Sequence, residues 1–465
     1  MSTNKAIQYL TTFLESDWKA MNKYARIHFT QGSELDLLYS FLKKEKTKIA
    51  DGKIELSKIQ RILKNSTDKK AFQNLLSVFG THIETYFVQE EMKSNPFNDN
   101  YFLLQALRKR GHHKQYDSLA HKMKSNIEDS KIDFWNELRL LQIEHDQYLS
   151  NSPNKIKNGK NILTNKISHL LKFTSQLSSF YICETYNRDR QTSEIWDDEI
   201  SILKKTTLPN SKLSAIFESL YRVQKGSKSE FIKLLKWLQS KKNNSTKEIK
   251  LICLLYLNNN IPNLYTTHNS RANYAIKIIE IGLQQKLYEG NGIMPVVRYH
   301  NIIDILCFYG RFELATQIAK DYKSHLEGSI QDEALALANA QILFKNESLN
   351  KGKEKALEIL RNHNFIDIKL SPRSRGIILC CLLDLNPEKT ELLKSQSEAF
   401  RLLINRHKSK LSDIEYLSYK NLHKSINLLI RNKIKELETL SQSKEIIFFK
   451  SYIIDKTKER LSSIK

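Results

Sequence analysis

The segment at residues 298–326 constrains the fold more than any other, because its apolar residues form two helical stripes separated by a single glycine. Apolar side chains recur at helical spacing on both sides of Gly310, at Ile302, Ile303, Leu306 and Tyr309 before it and at Leu314, Ala315, Ile318, Ala319 and Tyr322 after it. A helix with one apolar stripe needs a partner surface that removes the stripe from water. Glycine can adopt the left-handed conformation that ends one helix and lets the next fold back. The segment therefore predicts a helical hairpin.

A similar pattern lies near the N-terminus, in LLQALRKRGHHKQYDSLAHKMKS. Apolar residues precede Gly111, and Tyr116, Leu119 and Ala120 follow it. In both segments the glycine stands five residues before the first inward-facing position of the second helix, which is Tyr116 here and Ala315 in the later segment. We therefore expect helical hairpins in both halves of the chain.

The second helices of successive hairpins align at an interval near 40 residues. The aligned segments are separated by 43, 40, 41 and 43 residues when they are anchored on Ile232, Ala275, Ala315, Ala356 and Ala399. An interval of this size fits one two-helix unit per period. Ser-x-x-Glu patterns, in which the serine and the glutamate can each pair with a free backbone N–H, predict further helix starts at Ser227, Ser245, Ser395 and Ser412.

The hairpin around Gly310 resembles the tetratricopeptide repeat, which breaks its first helix at a glycine-bearing turn and places a small residue inside its second. Ala315, Ala356 and Ala399 occupy that small position. The sequence departs from the family in its longer period, in Ile303 where a small residue is usual, and in having no recurrent proline. The resemblance covers residues 228–410 and implies a TPR-like right-handed α-solenoid.

The N-terminal half resembles a recurrent family of uncharacterised bacterial helical proteins, through FLESDWKAMNKYAR, EEMKSNPF, LLQALRKRG and ICETYNRDR. This resemblance implies a helical module fused to a helical array. Only 13 glycines and 7 prolines occur in 465 residues, which also favours an all-α fold. We expect an N-terminal module at 1–150, a TPR-like array at 151–410 and capping helices at 411–465, with a linker at 151–160.

Cysteine usage and hydropathy indicate a cytoplasmic protein. The five cysteines include no CxxC pair, and four of them lie in apolar helical runs, which is typical of buried reduced thiols. The N-terminal residues lack the apolar core and cleavage site of a secretory signal. The longest apolar runs, such as residues 377–383, are too short to span a bilayer, so we expect no membrane association.

No motif for catalysis or cofactor binding is found. The chain lacks the glycine-rich phosphate loops GxxxxGK[ST] and GxGxxG, and it lacks GxSxG and HExxH. His112, His113 and His121 form its one histidine cluster, and a zinc site there would need cysteines or carboxylates beside them. We therefore predict no enzymatic activity, no cofactor and no metal.

The leading functional hypothesis is a non-enzymatic scaffold that binds a protein or peptide partner. Stacked hairpins form an extended groove that the first helices of successive hairpins line. Asn301, Asp304 and Tyr309, on the first helix of the clearest hairpin, are the predicted partner contacts.

The alternative is a nucleic-acid-binding protein or regulator that uses basic N-terminal helices, with the helical array as a sensor. Lys and Arg outnumber Asp and Glu by 74 to 51, a net charge of +23, and such a field attracts polyanions. The predicted contacts are Lys58 and Arg61, in a segment that resembles a helix-turn-helix, and Arg108, Lys109 and Arg110. The competing interpretation is that the charge, which is spread along the chain, solvates helix surfaces.

Overall fold

The computed structural model describes residues 4–50, 54–55, 58, 69–150, 153–192, 196–207, 211–290, 292–346, 350–443 and 445–462. These residues form 23 α-helices and three short 3-10 helices, and they contain no β-strand. The fold class is therefore all-α, as the sequence predicts. The chain divides into two compact units, Met1–Glu128 with Gln142–Leu163, and Asp129–Leu141 with Thr164–Lys465.

The first nine helices are α1 Lys5–Leu10, α2 Glu15–His28, α3 Glu34–Lys44, α4 Lys46–Ala50, α5 Lys69–Ser94, α6 Pro96–Lys109, α7 His113–Glu128, α8 Asn136–Leu149 and α9 Pro153–Thr192. The next seven are α10 Asp197–Thr206, α11 Lys212–Gln224, α12 Lys228–Gln239, α13 Lys247–Leu264, α14 His268–Gln284, α15 Val296–Phe308 and α16 Phe312–Asp321. The last seven are α17 Gln331–Lys345, α18 Asn350–Asn362, α19 Leu370–Leu385, α20 Thr390–Arg406, α21 Asp413–Ile430, α22 Ile434–Gln442 and α23 Lys450–Ser462.

The first unit contains a core rich in aromatic side chains. Helices α1, α2, α3 and α5 bury Met21, Leu38, Leu42 and Phe79 almost completely. In the same unit α6 and α7 pack as the hairpin predicted around Gly111, whose φ of 72° lies in the left-handed region. This hairpin is thereby confirmed.

The second unit consists mainly of successive helical hairpins. From α11 to α22 each odd-numbered helix packs against the helix that follows it, and most neighbouring hairpins also touch through their first helices, α11 with α13, α15 with α17, α17 with α19 and α19 with α21. The hairpin at residues 298–326 is confirmed. Gly310 has a φ of 68° between α15 and α16, and Ile303, Leu306 and Ala315 are fully buried.

Two anchors of the predicted repeat are wrong. Ile232 and Ala399 are exposed, and the buried residues of their helices are the adjacent Phe231 and Phe400. Burial rather than small size therefore defines the inward position, and Ala399 does not occupy the small position that the resemblance implied.

The predicted linker at 151–160 is also wrong, because residues 153–160 begin the 40-residue helix α9. Pro153 stands in its first turn, where proline fits because its nitrogen needs no helical hydrogen bond there.

Two of the four predicted helix caps are confirmed and two are wrong. Ser412 forms a complete capping box and Ser227 caps α12, whereas Ser395 lies within α20 and Thr246, not Ser245, precedes α13.

Candidate functional site

A cleft of about 1070 Å³ lies within the second unit, among the first helices of several hairpins. Side chains of α9, α13, α15, α21 and the start of α19 line it, together with Lys345 at the end of α17 and the segment 446–449. Asn301, Asp304 and Tyr309, the partner contacts predicted from the sequence, all belong to this lining. Asn301 and Asp304 stand one helical turn apart on α15, and Tyr309 follows the end of that helix.

Arg373 connects two of these residues. Its guanidinium donates hydrogen bonds to Asn301 Oδ1 and to Asp304 Oδ2, both at 3.1 Å. Only 11% of the Arg373 side chain and 25% of the Asp304 side chain are exposed, so the pair is shielded from water on most sides. The guanidinium also lies 5.4 Å from the ring centre of Phe448. Arg373 therefore orients Asp304 and neutralises its charge within the cleft.

His300 is buried beside this pair, with 1% of its surface exposed. Neither ring nitrogen makes a hydrogen bond of good geometry within the described residues. Burial holds the pKa of His300 well below its ordinary value, and the positive charge of Arg373 lowers it further, whereas contact with Gln341 acts in the opposite direction. The imidazole is therefore neutral at physiological pH.

Asparagine side chains line one wall of the cleft. They are Asn187 of α9, Asn258, Asn259 and Asn263 of α13, and Asn301 of α15. Asn259 Nδ2 donates to Asn187 Oδ1 at 3.1 Å, which joins α13 to α9. Each amide offers both donors and acceptors.

A proline adds a backbone acceptor to this wall. Pro262 lies inside α13 and lines the cleft, and it has no N–H to bond the carbonyl four residues earlier, that of Asn258. The run NNNIPN was a sequence signal for this wall, because so many amides are unusual on one helix.

The segment 446–449 forms an apolar wall of the same cleft. Phe448 N donates to Ser418 O at 3.1 Å, and Asn421 Nδ2 donates to Ile446 O at 3.0 Å, so α21 holds this segment in place. Phe449 has a left-handed φ of 57° and packs under Lys345, whose ammonium lies 5.0 Å from the ring centre. No periodicity of the sequence indicated that this C-terminal segment reaches the cleft.

The predicted nucleic-acid contacts occupy unlike environments. Lys109 and Arg110 are exposed at the end of α6. Arg108 is partly buried and forms an ion pair with the buried Asp146, with Nε and Oδ1 3.3 Å apart. Lys58 is exposed and pairs with Glu55 at 3.0 Å, and Arg61 lies outside the described residues. Arg108 pairs with a buried carboxylate, so of these three residues Lys109 and Arg110 alone are exposed cations at the end of α6.

The described part of the chain contains no group of three or more His, Cys, Asp or Glu side chains placed to hold a metal ion. All five cysteines are buried and unpaired by disulfides, and burial raises the pKa of Cys381 to about 12. Among the described helices, none combines the length and the apolar character needed to cross a bilayer. No family model matches the chain, and no curated protein or solved structure matches it significantly.

Proposed function

We propose that this chain is a non-enzymatic helical-repeat protein that binds an extended peptide segment of a partner protein in the cleft. In this proposal the hairpins of the second unit stack as a TPR-like right-handed α-solenoid, and their first helices face the ligand. The contacts of α15 with α17, of α17 with α19 and of α19 with α21 support that arrangement.

The observation that carries the proposal is that five asparagine amides and the apolar segment 446–449 line one cleft. An extended peptide leaves a backbone N–H and a backbone C=O unpaired at every residue, and each group needs a partner when it is removed from water. Amide side chains offer partners to both kinds of group, and the Asn258 carbonyl, which Pro262 leaves without its usual helical donor, is a further acceptor. The apolar wall at 446–449 offers a surface for the peptide's apolar side chains.

Size and charge also fit a peptide. Small-molecule pockets typically measure about 300–1,000 Å³, so a cleft of about 1070 Å³ is large enough for several residues of a chain. Three cationic side chains, Lys345, Lys369 and Arg373, line the cleft against two anionic ones, Asp304 and Glu415. The excess of positive charge favours a peptide with acidic character.

Among the described residues of the cleft, Ser418, His300 and Asp304 do not form a nucleophile–base pair with one another. A nucleophile needs a base within hydrogen-bonding distance, and the base needs a group that orients it. The Ser418 hydroxyl donates instead to the Glu415 backbone carbonyl at 2.8 Å, and the His300 ring has no well-placed partner within the described residues. Of the two carboxylates in the lining, Asp304 accepts a hydrogen bond from Arg373, and Glu415 accepts from the backbone N–H and the hydroxyl of Ser412. These contacts support a binding role.

The proposal is tested by selecting binders to the purified full-length chain from a display library of random linear peptides. Replacing Asn258 and Asn259 together with Leu removes the amides but keeps similar volume, so binding of the selected peptides should fall by about tenfold or more. Asn273→Leu, an exposed asparagine of α14 outside the cleft, is the matched control and should leave binding unchanged. Equal binding by the two variants, or no enrichment of any peptide, would refute the proposal.

A further inference from the structure

A smaller cavity, the annex, adjoins the cleft between α13, α14 and α15. It has a volume of about 390 Å³ and shares with the cleft the residues Asn258, Asn259, Asn301, Asp304 and Ile305. The two cavities therefore lie side by side along the amide wall.

Arg298 is the cationic side chain of the annex lining, and no carboxylate in the described part of the chain pairs with it. Within the described residues its guanidinium makes no ion pair and no hydrogen bond, and it stacks on Tyr288, 5.7 Å from the ring centre. Tyr288 is 5% exposed, so the platform under the guanidinium is fixed. Burial lowers the pKa of Arg298 below its ordinary value, which reflects water lost without a compensating anion. The side chain nevertheless stays charged at neutral pH.

The one carboxylate of the annex lining already has a different partner. Asp304 lines both cavities, but its Oδ2 accepts from Arg373 Nη2 at 3.1 Å. The two arginines and one aspartate leave one positive charge uncompensated at this end of the site.

We infer that the annex binds a carboxylate of the peptide, through Arg298 and the amides of Asn258, Asn259 and Asn301. The inference rests on the proposed function and specifies its ligand. A guanidinium can hold both oxygens of a carboxylate at once, and amide N–H groups can satisfy the remaining lone pairs. The carboxylate belongs either to an Asp or Glu side chain or to the peptide's C-terminus, because both present the same chemistry.

The test uses the peptides that the display library selects, synthesised in matched forms. One form ends in a free acid and one in an amide, and in further forms each Asp or Glu is replaced by Asn or Gln. Full-length wild-type chain, Arg298→Gln and Arg298→Lys are compared, with Arg375→Gln, an exposed arginine of α19 outside both cavities, as the matched control. Circular dichroism and the melting temperature establish that each variant is folded.

We expect one carboxylate-to-amide change to weaken binding to the wild type about 10- to 100-fold, the usual effect of a lost charge-assisted hydrogen bond. Arg298→Gln should weaken binding of the peptide that carries the carboxylate by a similar factor and leave binding of its amide counterpart unchanged. The affinity of Arg298→Lys for the carboxylate peptide should lie between those of the wild type and Arg298→Gln. If the C-terminal amide form loses affinity, the bound carboxylate is the peptide's C-terminus. If an Asn or Gln form loses affinity, it is the side chain of the Asp or Glu that was replaced.

Two results would overturn the inference in distinguishable ways. If peptide binding falls on replacing Asn258 and Asn259 together but is unchanged by Arg298→Gln, the proposed function stands and the carboxylate site is refuted. If neither replacement changes peptide binding, the cleft is not the binding site and the proposed function is refuted.

Discussion

Replacing Gly282 with alanine should destabilise the second unit, although replacing glycine with alanine inside most helices stabilises the protein. Gly282 lies within α14, where alanine is ordinarily favoured by about 0.5–1 kcal/mol. A Cβ at this position would stand 2.2 Å from Cε2 and 2.3 Å from Cζ of Tyr288, whereas carbon atoms in contact are about 3.5–4 Å apart. The ring is 5% exposed and carries Arg298 on its face, so it has little room to move. Overpacking costs about 1–3 kcal/mol, so the net loss should be about 1–2 kcal/mol.

A double-mutant cycle isolates this contact. In a Tyr288→Ala background the obstacle is gone, and Gly282→Ala should then stabilise by about 0.5–1 kcal/mol. The assay is urea unfolding followed by circular dichroism, with the midpoint and slope of the transition compared across the four chains. An equal shift of the midpoint by Gly282→Ala in both backgrounds would refute the packing argument.

Three further predictions concern the cleft and its supporting helices. Burial depresses the pKa of His300 in the folded state, so below a pH of about 6.5 protons bind preferentially to the unfolded chain, and the free energy of unfolding decreases as the pH is lowered. The dependence of this free energy on pH should approach a slope of about 1.4 kcal/mol per pH unit, and His300→Leu should remove it. Urea unfolding between pH 7 and pH 5 measures both chains. Asp304→Asn should cost about 2 kcal/mol and more than Arg373→Met, because it leaves the more deeply buried partner charged without a carboxylate. The reverse order of the two variants in thermal unfolding would contradict the assignment of Arg373 as the shielded charge. Ser412→Ala should cost about 1 kcal/mol through loss of a cap, whereas Ser395→Ala, within a helix, should be neutral or slightly stabilising in the same experiment.

Local patterns predicted the local structure well. Apolar spacing around Gly310 and Gly111 predicted two hairpins, because periodicity and a left-handed glycine are determined by neighbouring residues. The exposed anchors Ile232 and Ala399 show the limit of that method. A shift of one residue along a helix turns the side chain by about 100°, and the sequence alignment did not resolve it.

The site was only partly predictable. The sequence predicts Asn301 and Asp304 as side chains of a first helix that line the groove, and both line the cleft. Their partner Arg373 was missed, because 69 residues separate it from Asp304 and periodicity says nothing about contacts at that distance. The sequence does not indicate Arg298 either, since its importance lies in having no carboxylate partner among the described residues, which only the folded arrangement shows. Phe448 reaches the cleft through a hydrogen bond to α21 that no motif indicated.

The most direct measurement of the central proposal is amide hydrogen exchange of the full-length chain with and without a selected peptide. We predict slower exchange in the cleft-lining residues 258–264, 296–309 and 446–449, with no change in α6 and α7. A ligand that protects α6 and α7 instead, or protection by RNA or duplex DNA that disappears as salt is raised, would contradict the peptide-binding cleft and favour the basic N-terminal helices as the binding surface.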